Sequence, residues 1–479
     1  MQIFNLFNAT VIPHFGQTFN VEVGWLGEIV KWIISGVGLV GLGVVLFSLI
    51  LKFIVLPLDI YQRITMRKQN QQMEANKERM EKLQKQYAND KEKYNQKVME
   101  MYKENGMSMF SSCLPMILSM VIFIAAINAF NSYAQFANMS SYNMLVNAYN
   151  KQVEALAPEI TDDNYVINGN TITVKSNDIT DGKYAYYEVT FDTANAEITA
   201  DIKGYVNKVL NYEVQGVNAK YYADTEKAYA YAEQSADFKA LLASYEVKDE
   251  NGAVKKEDTL SAYIKDIAQK AVVVAYEQEA KPAVSFLWIK NVWTTDASYE
   301  HPILPYSKFI QTMEQGNEGF NVNGEKVKLA DLEGRTLSTA YKEATYDYVT
   351  GQLTNQKKEA NGYFVLIILS IGTILLQQFV SMRSQKAQSQ YSSVDGQGAS
   401  QQKMMMIMMT VMFAVFSFMY SAAFSIYMII SNVFSLLSTL VINFFVDKFL
   451  EKKEAREAQA QYDKRFRATA KKSDKENKK

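Results

Sequence analysis

The sequence predicts an α-helical polytopic membrane protein that carries a folded domain outside the bilayer. Five apolar segments have close to the ~20 residues that a helix needs to cross a bilayer. These segments are 37–58, 110–130, 362–382, 404–420 and 424–446. A long polar stretch, 131–360, separates the second segment from the third. The last two segments lie only a few residues apart, so we expect them to form a tight helical hairpin.

The charged residues are distributed unevenly, and their positions predict the orientation of the spans. Residues 59–105, the loop 383–403 and the tail 447–479 are rich in Lys and Arg, whereas residues 131–360 carry about 33 acidic against about 22 basic side chains. Short basic flanks of membrane helices stay in the cytosol. With five spans, this places the N-terminus outside the cell and the C-terminus in the cytosol.

The N-terminal segment, 1–36, is expected to lie outside, ahead of the first span. Within it, residues 24–35 combine two tryptophans and several aliphatic side chains with Glu28 and Lys31. Such a composition is typical of a short amphipathic helix that lies in the membrane interface.

The basic segment 59–105 predicts a cytosolic helical hairpin. Charged residues and Gln dominate it, and Met, Leu, Val and Tyr side chains recur near helical spacing on both sides of Asn89-Asp90. This dipeptide can cap a second helix that begins near Lys91. Because the hairpin has few large apolar side chains to bury, we expect an arm that moves relative to the spans. The alternative interpretation is a solvated helical loop.

The external stretch predicts a small α+β module over 140–282 and a second, mainly helical addition over 306–360. The predicted strands are Tyr165–Ile167, Thr171–Val174 and Tyr184–Phe191, and the predicted helices are Ala219–Tyr245 and Leu260–Gln278. The first two strands flank Asn168-Gly169-Asn170, which is typical of a β-hairpin turn.

The sequence has no convincing motif for catalysis, nucleotide binding or metal binding. Residues 36–41 match GxGxxG, but they precede a span instead of joining a strand to a helix, so helix packing or a hinge is the better interpretation. No GxxxxGK[ST] motif occurs. The two histidines, His14 and His301, both fall in external segments, and Cys113 is a single cysteine. We therefore expect a protein that is not an enzyme and holds no cofactor.

Lys52 is the residue that points most directly to a function. It lies inside the first apolar segment, where a charge is costly and marks a functional site by default. The alternative is a lysine near the end of a span whose ammonium group reaches the lipid headgroups. Spacing alone leaves both interpretations open.

The sequence around Lys52 resembles a known family. Leu51 to Leu58, followed by Gln62 and Met66-Arg67-Lys68, resembles the first core span and hairpin start of the YidC/Oxa/Alb membrane protein insertases. Similar motifs follow in the family's order, at Lys85 to Lys93, Met101 to Gly106, Cys113 to Met116, Phe286 to Asn291 within the family-like segment 286–305, Gln401 to Met406, and Tyr427 to Phe434. Together they cover the membrane part, about half of the chain.

The resemblance implies a five-span insertase core with a cytosolic helical hairpin, and the external α+β insertion is the largest departure from the family. It also implies a hydrophilic groove that opens to the cytosol and the lipid and is closed outside. Lys52 matches the positive groove residue, which is usually Arg in the family, and lysine keeps the charge but loses the bidentate geometry. Ser48 matches a groove-facing hydroxyl position. Tyr427 and Met428 match substrate-facing positions of the fifth span.

These observations together predict a membrane protein insertase and chaperone of the bacterial cell membrane that works without nucleotide hydrolysis. A cation at Lys52 can transiently hold an acidic client residue that would be costly in lipid. The expected partners are nascent membrane protein clients, the ribosome, the Sec translocon and membrane lipids, and no DNA.

The methionines of 404–412 suit either an adaptable client surface or simply an apolar span. The basic tail suits either ribosomal RNA or anionic lipid.

Two other functional classes stay open at this point. A polytopic transporter or channel would use Lys52 in a substrate pathway, and an internal repeat would favour it. The sequence has no such repeat. A membrane-anchored external binding protein, such as an adhesin or sensor, would instead place its function in 131–360.

Overall fold

The fold is known from a computed structural model, which describes residues 9–104, 110–192, 200–214, 216–314, 319–322, 325–327, 339–384 and 398–476. The chain divides into two compact units. The first unit consists of Met1–Trp32 and Ala129–Gly362, and the second consists of Ile33–Asn128 and Tyr363–Lys479. The N-terminal segment therefore belongs to the same unit as the polar stretch, although the two are far apart in sequence.

Five long helices carry the apolar segments, and they are termed the first to fifth core helices. They are Val40–Ala75, Phe110–Glu154, Val365–Ser384, Gly398–Met419 and Ala422–Glu476. Three of them extend well beyond the apolar segment that predicted them. The first core helix continues past residue 58 to Ala75, the second continues past residue 130 to Glu154, and the fifth continues through most of the predicted tail.

The apolar content of these helices makes the chain an α-helical polytopic membrane protein. Among the described residues, four stretches are long and apolar enough to cross a membrane, namely Val40–Gln62, Met120–Glu154, Val365–Arg383 and Ala422–Ile442. The sequence predicts five such segments. The fourth core helix is 22 residues long, and among the described residues its apolar stretch Ile407–Met419 is shorter than these four.

The predicted hairpin consists of two helices, Lys77–Gln86 and Lys91–Glu104, that follow the first core helix. Its two helices share a small core of four buried side chains, which are Met80, Tyr94, Val98 and Met101. The predicted cap at Asn89-Asp90 is confirmed, since the backbone N–H of Lys93 donates to Asp90 at 3.0 Å. This hydrogen bond lowers the pKa of the Asp90 carboxyl below its ordinary value.

A five-stranded antiparallel sheet lies in the first unit. Its strands are β1 (Ala9–Ile12), β2 (Tyr165–Asn168), β3 (Thr171–Val174), β4 (Ala185–Thr190) and β5 (Lys220–Asp224), in the spatial order β1-β5-β4-β3-β2. The predicted hairpin of β2 and β3 is confirmed, and Gly169 at its turn has a φ of +60°. The edge strand β1 comes from the N-terminal segment, which the sequence did not predict.

The predicted helix Ala219–Tyr245 is wrong at its start, where the chain forms strand β5. Tyr221 and Ala223 are buried at alternate positions, which is the spacing of a strand. Their burial in the sheet outweighs the helix propensity of this stretch. The Asp224 side chain then accepts from the backbone N–H of Lys227 at 3.1 Å and caps a short helix. The helices of this part are Ile202–Leu210, Thr225–Ala232, Ala236–Ala243 and Lys256–Ala275, followed by a π-helical turn at Tyr276–Ala280 and the helix Lys281–Val284.

The segment 306–360 shares its core with the sheet module instead of forming a separate, mainly helical addition. It contains the helices Tyr306–Glu314 and Glu343–Val349, a 3-10 turn at Thr350–Gln352, and a two-stranded sheet of β6 (Phe320–Val322) and β7 (Glu325–Val327). Phe309, Phe320 and Tyr346 lie in the same hydrophobic cluster as Tyr187 of β4. Burial of Tyr346 raises the pKa of its phenol, so the hydroxyl stays a donor and bonds the Leu304 carbonyl at 2.6 Å.

Three buried asparagines join the family-like segment 286–305 to its neighbours within the first unit. The Asn291 side chain donates to Asn138 of the second core helix at 3.0 Å. The Asn361 side chain accepts from the Asn291 backbone N–H at 2.7 Å, and it donates to the carbonyls of Asn291 at 2.9 Å and Thr295 at 3.0 Å. This asparagine network fixes segment 286–305 at both the second core helix and the residues that precede the third core helix.

Replacing Asn361 by Ala should loosen segment 286–305. The change leaves the buried Asn291 N–H without its partner and removes one of two hydrogen bonds from each of the Asn291 and Thr295 carbonyls, which costs about 3 kcal/mol. Amide exchange in 286–305 should therefore become about 100-fold faster, as measured by hydrogen exchange with mass spectrometry. Asn355→Ala removes an exposed asparagine from the same region and should leave the exchange rates unchanged. Equal exchange in Asn361→Ala and the parent protein would show that the network does not hold the segment.

Replacing Met80 by Ala should weaken the hairpin and leave the core helices intact. Met80 is fully buried in a core of four side chains, and truncating a buried methionine costs about 2 kcal/mol or more. Exchange of the amides of Lys77–Gln86 and Lys91–Glu104 should accelerate by at least about 30-fold. Met99→Ala is the matched control, because Met99 lies in the same hairpin with an exposed side chain. If both variants accelerate exchange equally, the buried cluster does not hold the two helices together.

Candidate functional site

Lys52 lies where the first and fifth core helices meet. Its side chain is half-buried, and its Nζ donates to the hydroxyl of Ser435 at 3.3 Å. The ring of Phe53, the residue after Lys52, meets that of Phe434, the residue before Ser435, edge to face with the centroids 5.3 Å apart. An apolar contact therefore lies next to the ammonium group, and a polar partner from another helix compensates part of the cost of its charge.

Ser48 lies one turn before Lys52 on the same helix and is fully buried. Its hydroxyl donates to the Val44 carbonyl of its own helix at 2.6 Å. This bond uses the single hydroxyl proton and leaves the oxygen lone pairs able to accept a further hydrogen bond. The local helix thus makes Ser48 an acceptor beside Lys52.

Tyr427 and Met428 lie on the fifth core helix, and both are buried. The ring of Tyr427 lies 6.2 Å from that of Phe424. Met428 and Ser435 are seven residues apart, so they share one face of the helix. Of the four predicted site residues, the structure thus places two on each of two helices that pack together, and Lys52 alone among them is half-exposed.

The fifth core helix carries a row of buried polar side chains that the sequence reasoning missed. This row, termed the polar stripe, consists of Ser425, Ser431, Asn432, Ser435, Ser438 and Thr439. Ser431, Ser435 and Ser438 follow the i, i+4, i+7 spacing of one helix face. Helical spacing was the signal that could have revealed the polar stripe in the sequence. The stripe includes the hydroxyl that Lys52 bonds, so it extends a polar surface from the ammonium group along the helix.

Part of the polar stripe has unmet hydrogen-bonding capacity. The hydroxyls of Ser425 and Ser431 and the amide nitrogen of Asn432 are buried and have no hydrogen-bond partner among the described parts of the chain. An orphaned polar group in an apolar environment costs from one to several kcal/mol. These atoms therefore favour a polar partner, such as water or a bound segment, beside the fifth core helix.

Hydroxyl and amide groups also join the third and fourth core helices. The hydroxyls of Ser370 and Ser417 lie 3.1 Å apart, and the Thr410 hydroxyl donates to the Gln378 side chain at 2.7 Å. Hydrogen bonds of this kind stabilise the association of helices in lipid. They hold the fourth core helix in place while Met404, Met408 and other apolar side chains on it stay exposed.

Across the described residues, His, Cys, Asp and Glu form no group of three or more that could hold a metal ion. The groups that the first and fifth core helices bring together are a cation, hydroxyls and an amide. Such groups can bind anions and polar backbone segments through hydrogen bonds.

Comparison with known proteins places this site in a family. The family model described as 60Kd inner membrane protein matches residues 32–167 and 271–449, which is more than half of the chain. The chain belongs to this family, the YidC/Oxa/Alb family. All four predicted site residues and the polar stripe lie within the matched ranges. The unmatched residues between the two ranges include β3, β4 and β5, so most of the five-stranded sheet is an addition to the family's pattern.

Several curated relatives are similar to parts of the chain, and each carries the name membrane protein insertase YidC. The relative from Caldanaerobacter subterraneus is 29% identical over 116 residues, which cover 24% of this chain and 54% of the relative. The relative from Clostridium tetani is 37% identical over 101 residues, or 21% of this chain and 44% of the relative. The relative from Clostridium perfringens is 35% identical over 95 residues, or 20% and 38%. The chain thus spans about half or less of these relatives, and no solved structure matches it.

Proposed function

We propose that this protein is a membrane protein insertase that passes client segments through a hydrophilic groove into the lipid bilayer. The observation that carries the proposal is the bond from Lys52 to Ser435 between two membrane helices, within the range that matches the family. The names of the curated relatives agree with it. The bacterial cell membrane is the location that follows from this function.

The first step of the proposed mechanism is capture of an acidic or polar client segment near Lys52. A carboxylate that crosses the hydrocarbon alone loses its hydration at a cost of several kcal/mol. The half-buried ammonium group of Lys52 offers it a charge partner, and the bond to Ser435 holds that group toward the fifth core helix. Since the serine hydroxyl is a weak, neutral partner, a client carboxylate can displace it.

The second step is movement of the client segment along the polar stripe. Support comes from the buried Ser425, Ser431 and Asn432 atoms, which have no partner in the described parts of the chain. We propose that water and then the client's own backbone groups satisfy them. A polar lining of this kind lowers the free-energy barrier to passage of the client segment, because it shortens the hydrocarbon path that the client must cross unaided.

The third step is release of the client's apolar helix sideways into the bilayer. Burial of apolar surface in the hydrocarbon supplies the driving force, so no nucleotide is needed. The exposed methionines of the fourth core helix, such as Met404, Met408 and Met412, offer an adaptable surface along which different clients can leave.

The same proposal includes an orientation and a set of partners. Basic flanks place the N-terminus outside and the C-terminus in the cytosol. The helix Trp25–Val37 would then lie at the outer interface, and the hairpin and the basic end of the fifth core helix would face the ribosome and the Sec translocon. Nascent membrane proteins are the clients.

Replacing Lys52 by Ala should slow insertion of clients with an acidic translocated segment by about tenfold, because one charge-assisted hydrogen bond is worth about 1.5 kcal/mol or more. Lys52→Arg should retain insertion, since it keeps the charge. The measurement is protease protection of the client in vesicles that contain each variant. A client whose acidic residues are replaced by Gln or Asn is the control and should respond little. Equal insertion of the acidic client by Lys52→Ala and the parent protein would contradict capture at this residue.

Removing the residues after Phe449 should weaken binding to ribosomes. This end of the fifth core helix is rich in Lys and Arg, and ribosomal RNA is a polyanion. Co-sedimentation at low salt should show binding by the full chain and a loss of at least about tenfold in the truncated chain, and binding by the full chain should fall as salt rises. Identical binding by both chains would remove the tail from ribosome contact and favour a role at anionic lipid.

A further inference from the structure

The turn at residues 286–289 exposes a leucine in an unfavourable backbone conformation. Phe286 and Ile289 exchange two backbone hydrogen bonds of 2.9 Å, which makes a tight turn with Leu287 near its tip. Leu287 has a φ of +55°, in the left-handed region that is unfavourable for leucine. Its side chain is 73% exposed. The described residues therefore cover only a small part of Leu287.

The asparagine network fixes the position of this turn along the axis of the second core helix. Asn291, four residues after Leu287, bonds Asn138 of that helix. Residue 138 lies eight positions past the end of the predicted apolar segment 110–130, which corresponds to about 12 Å along a helix. The segment that holds Leu287 is thus attached to the second core helix about 12 Å past the segment 110–130 that the sequence predicts as its span.

The helix Trp25–Val37 is attached to the second core helix at nearly the same level. The backbone N–H of Gly24 donates to Ser132 at 2.8 Å, and the Lys31 ammonium lies 4.5 Å from the centre of the Phe136 ring. On its free face, this helix exposes Trp25 and Trp32, at 74% and 76%. Tryptophan is enriched at membrane–water interfaces.

Both apolar features are close in the chain to the start of a membrane helix. The helix Trp25–Val37 ends three residues before the first core helix begins at Val40. The Leu287 turn is bonded through the Lys290 backbone N–H to the Asn361 carbonyl at 3.2 Å, and the third core helix begins four residues later at Val365.

We propose that the Leu287 turn is a lipid contact of the external unit. Leu287 enters the boundary between headgroups and acyl chains of the outer leaflet, at the level where the exposed tryptophans Trp25 and Trp32 also meet lipid. The bilayer is the occupant that fits, because the exposed side chain is apolar and its segment is bonded to residues that lead into a membrane helix. Lipid burial of one leucine offsets the backbone cost of the turn. This inference depends on the membrane helices and not on the proposed insertase activity.

The test attaches an environment-sensitive fluorophore to Leu287→Cys in a chain whose single native cysteine is removed by Cys113→Ala. The full chain is purified and reconstituted alone in phosphatidylcholine–phosphatidylglycerol vesicles, so no other protein can cover the label. Leu241→Cys is the matched control, since Leu241 is an exposed leucine of the same unit on the helix Ala236–Ala243.

The label at position 287 should emit at shorter wavelength in vesicles than the label at 241. Lipids that carry a nitroxide near the headgroup should quench it at least about twofold more strongly. Equal emission and equal quenching at both positions, whether weak or strong, would overturn the proposal. Weaker quenching at position 287 than at 241 would overturn it as well. Because Leu287 is largely exposed, its substitution removes little packing, and unchanged hydrogen exchange of 286–305 verifies that the turn is intact.

Discussion

A charged or polar group is costly inside a bundle of apolar helices unless it has a partner. This constraint governs the arrangement of the first and fifth core helices, where Lys52 donates to Ser435 and Phe53 packs on Phe434. The same constraint applies to the buried polar atoms of Ser425, Ser431 and Asn432, which have no hydrogen-bond partner among the described residues. A protein selected only for stability would replace such groups with apolar ones, so their presence fits a site that accepts polar groups from a client.

The first unit is organised around the second core helix, which continues from Phe110 to Glu154 as one helix. Within this unit, Ser132, Asn138 and Tyr142 of that helix each bond a different segment, at Gly24, Asn291 and Ala340 respectively. The N-terminal segment, the family-like segment and the end of the polar stretch thus assemble on a single helix. This explains why residues far apart in sequence form one compact unit.

The length of the apolar segments predicted the polytopic fold, and the motifs around Lys52 predicted the family, because both signals are local in sequence. The Asp90 cap and the β2–β3 hairpin were predictable for the same reason. Strand β1 was not, since its pairing with β5 joins residues more than 200 positions apart. Strand β5 was mistaken for helix because alternate burial of Tyr221 and Ala223 is a property of the tertiary fold. The polar stripe was predictable from its spacing, whereas the bond from Lys52 to Ser435 was not.

If this chain alone inserts membrane proteins through its polar site and without nucleotide, the purified chain should do so in liposomes. The most direct measurement reconstitutes the purified chain in liposomes without nucleotide and follows protease protection of a small single-span client with an acidic translocated segment. Protection should rise well above that in protein-free liposomes, and adding ATP should change nothing. Protection equal to that in protein-free liposomes, or protection that requires ATP, would contradict the proposed insertion.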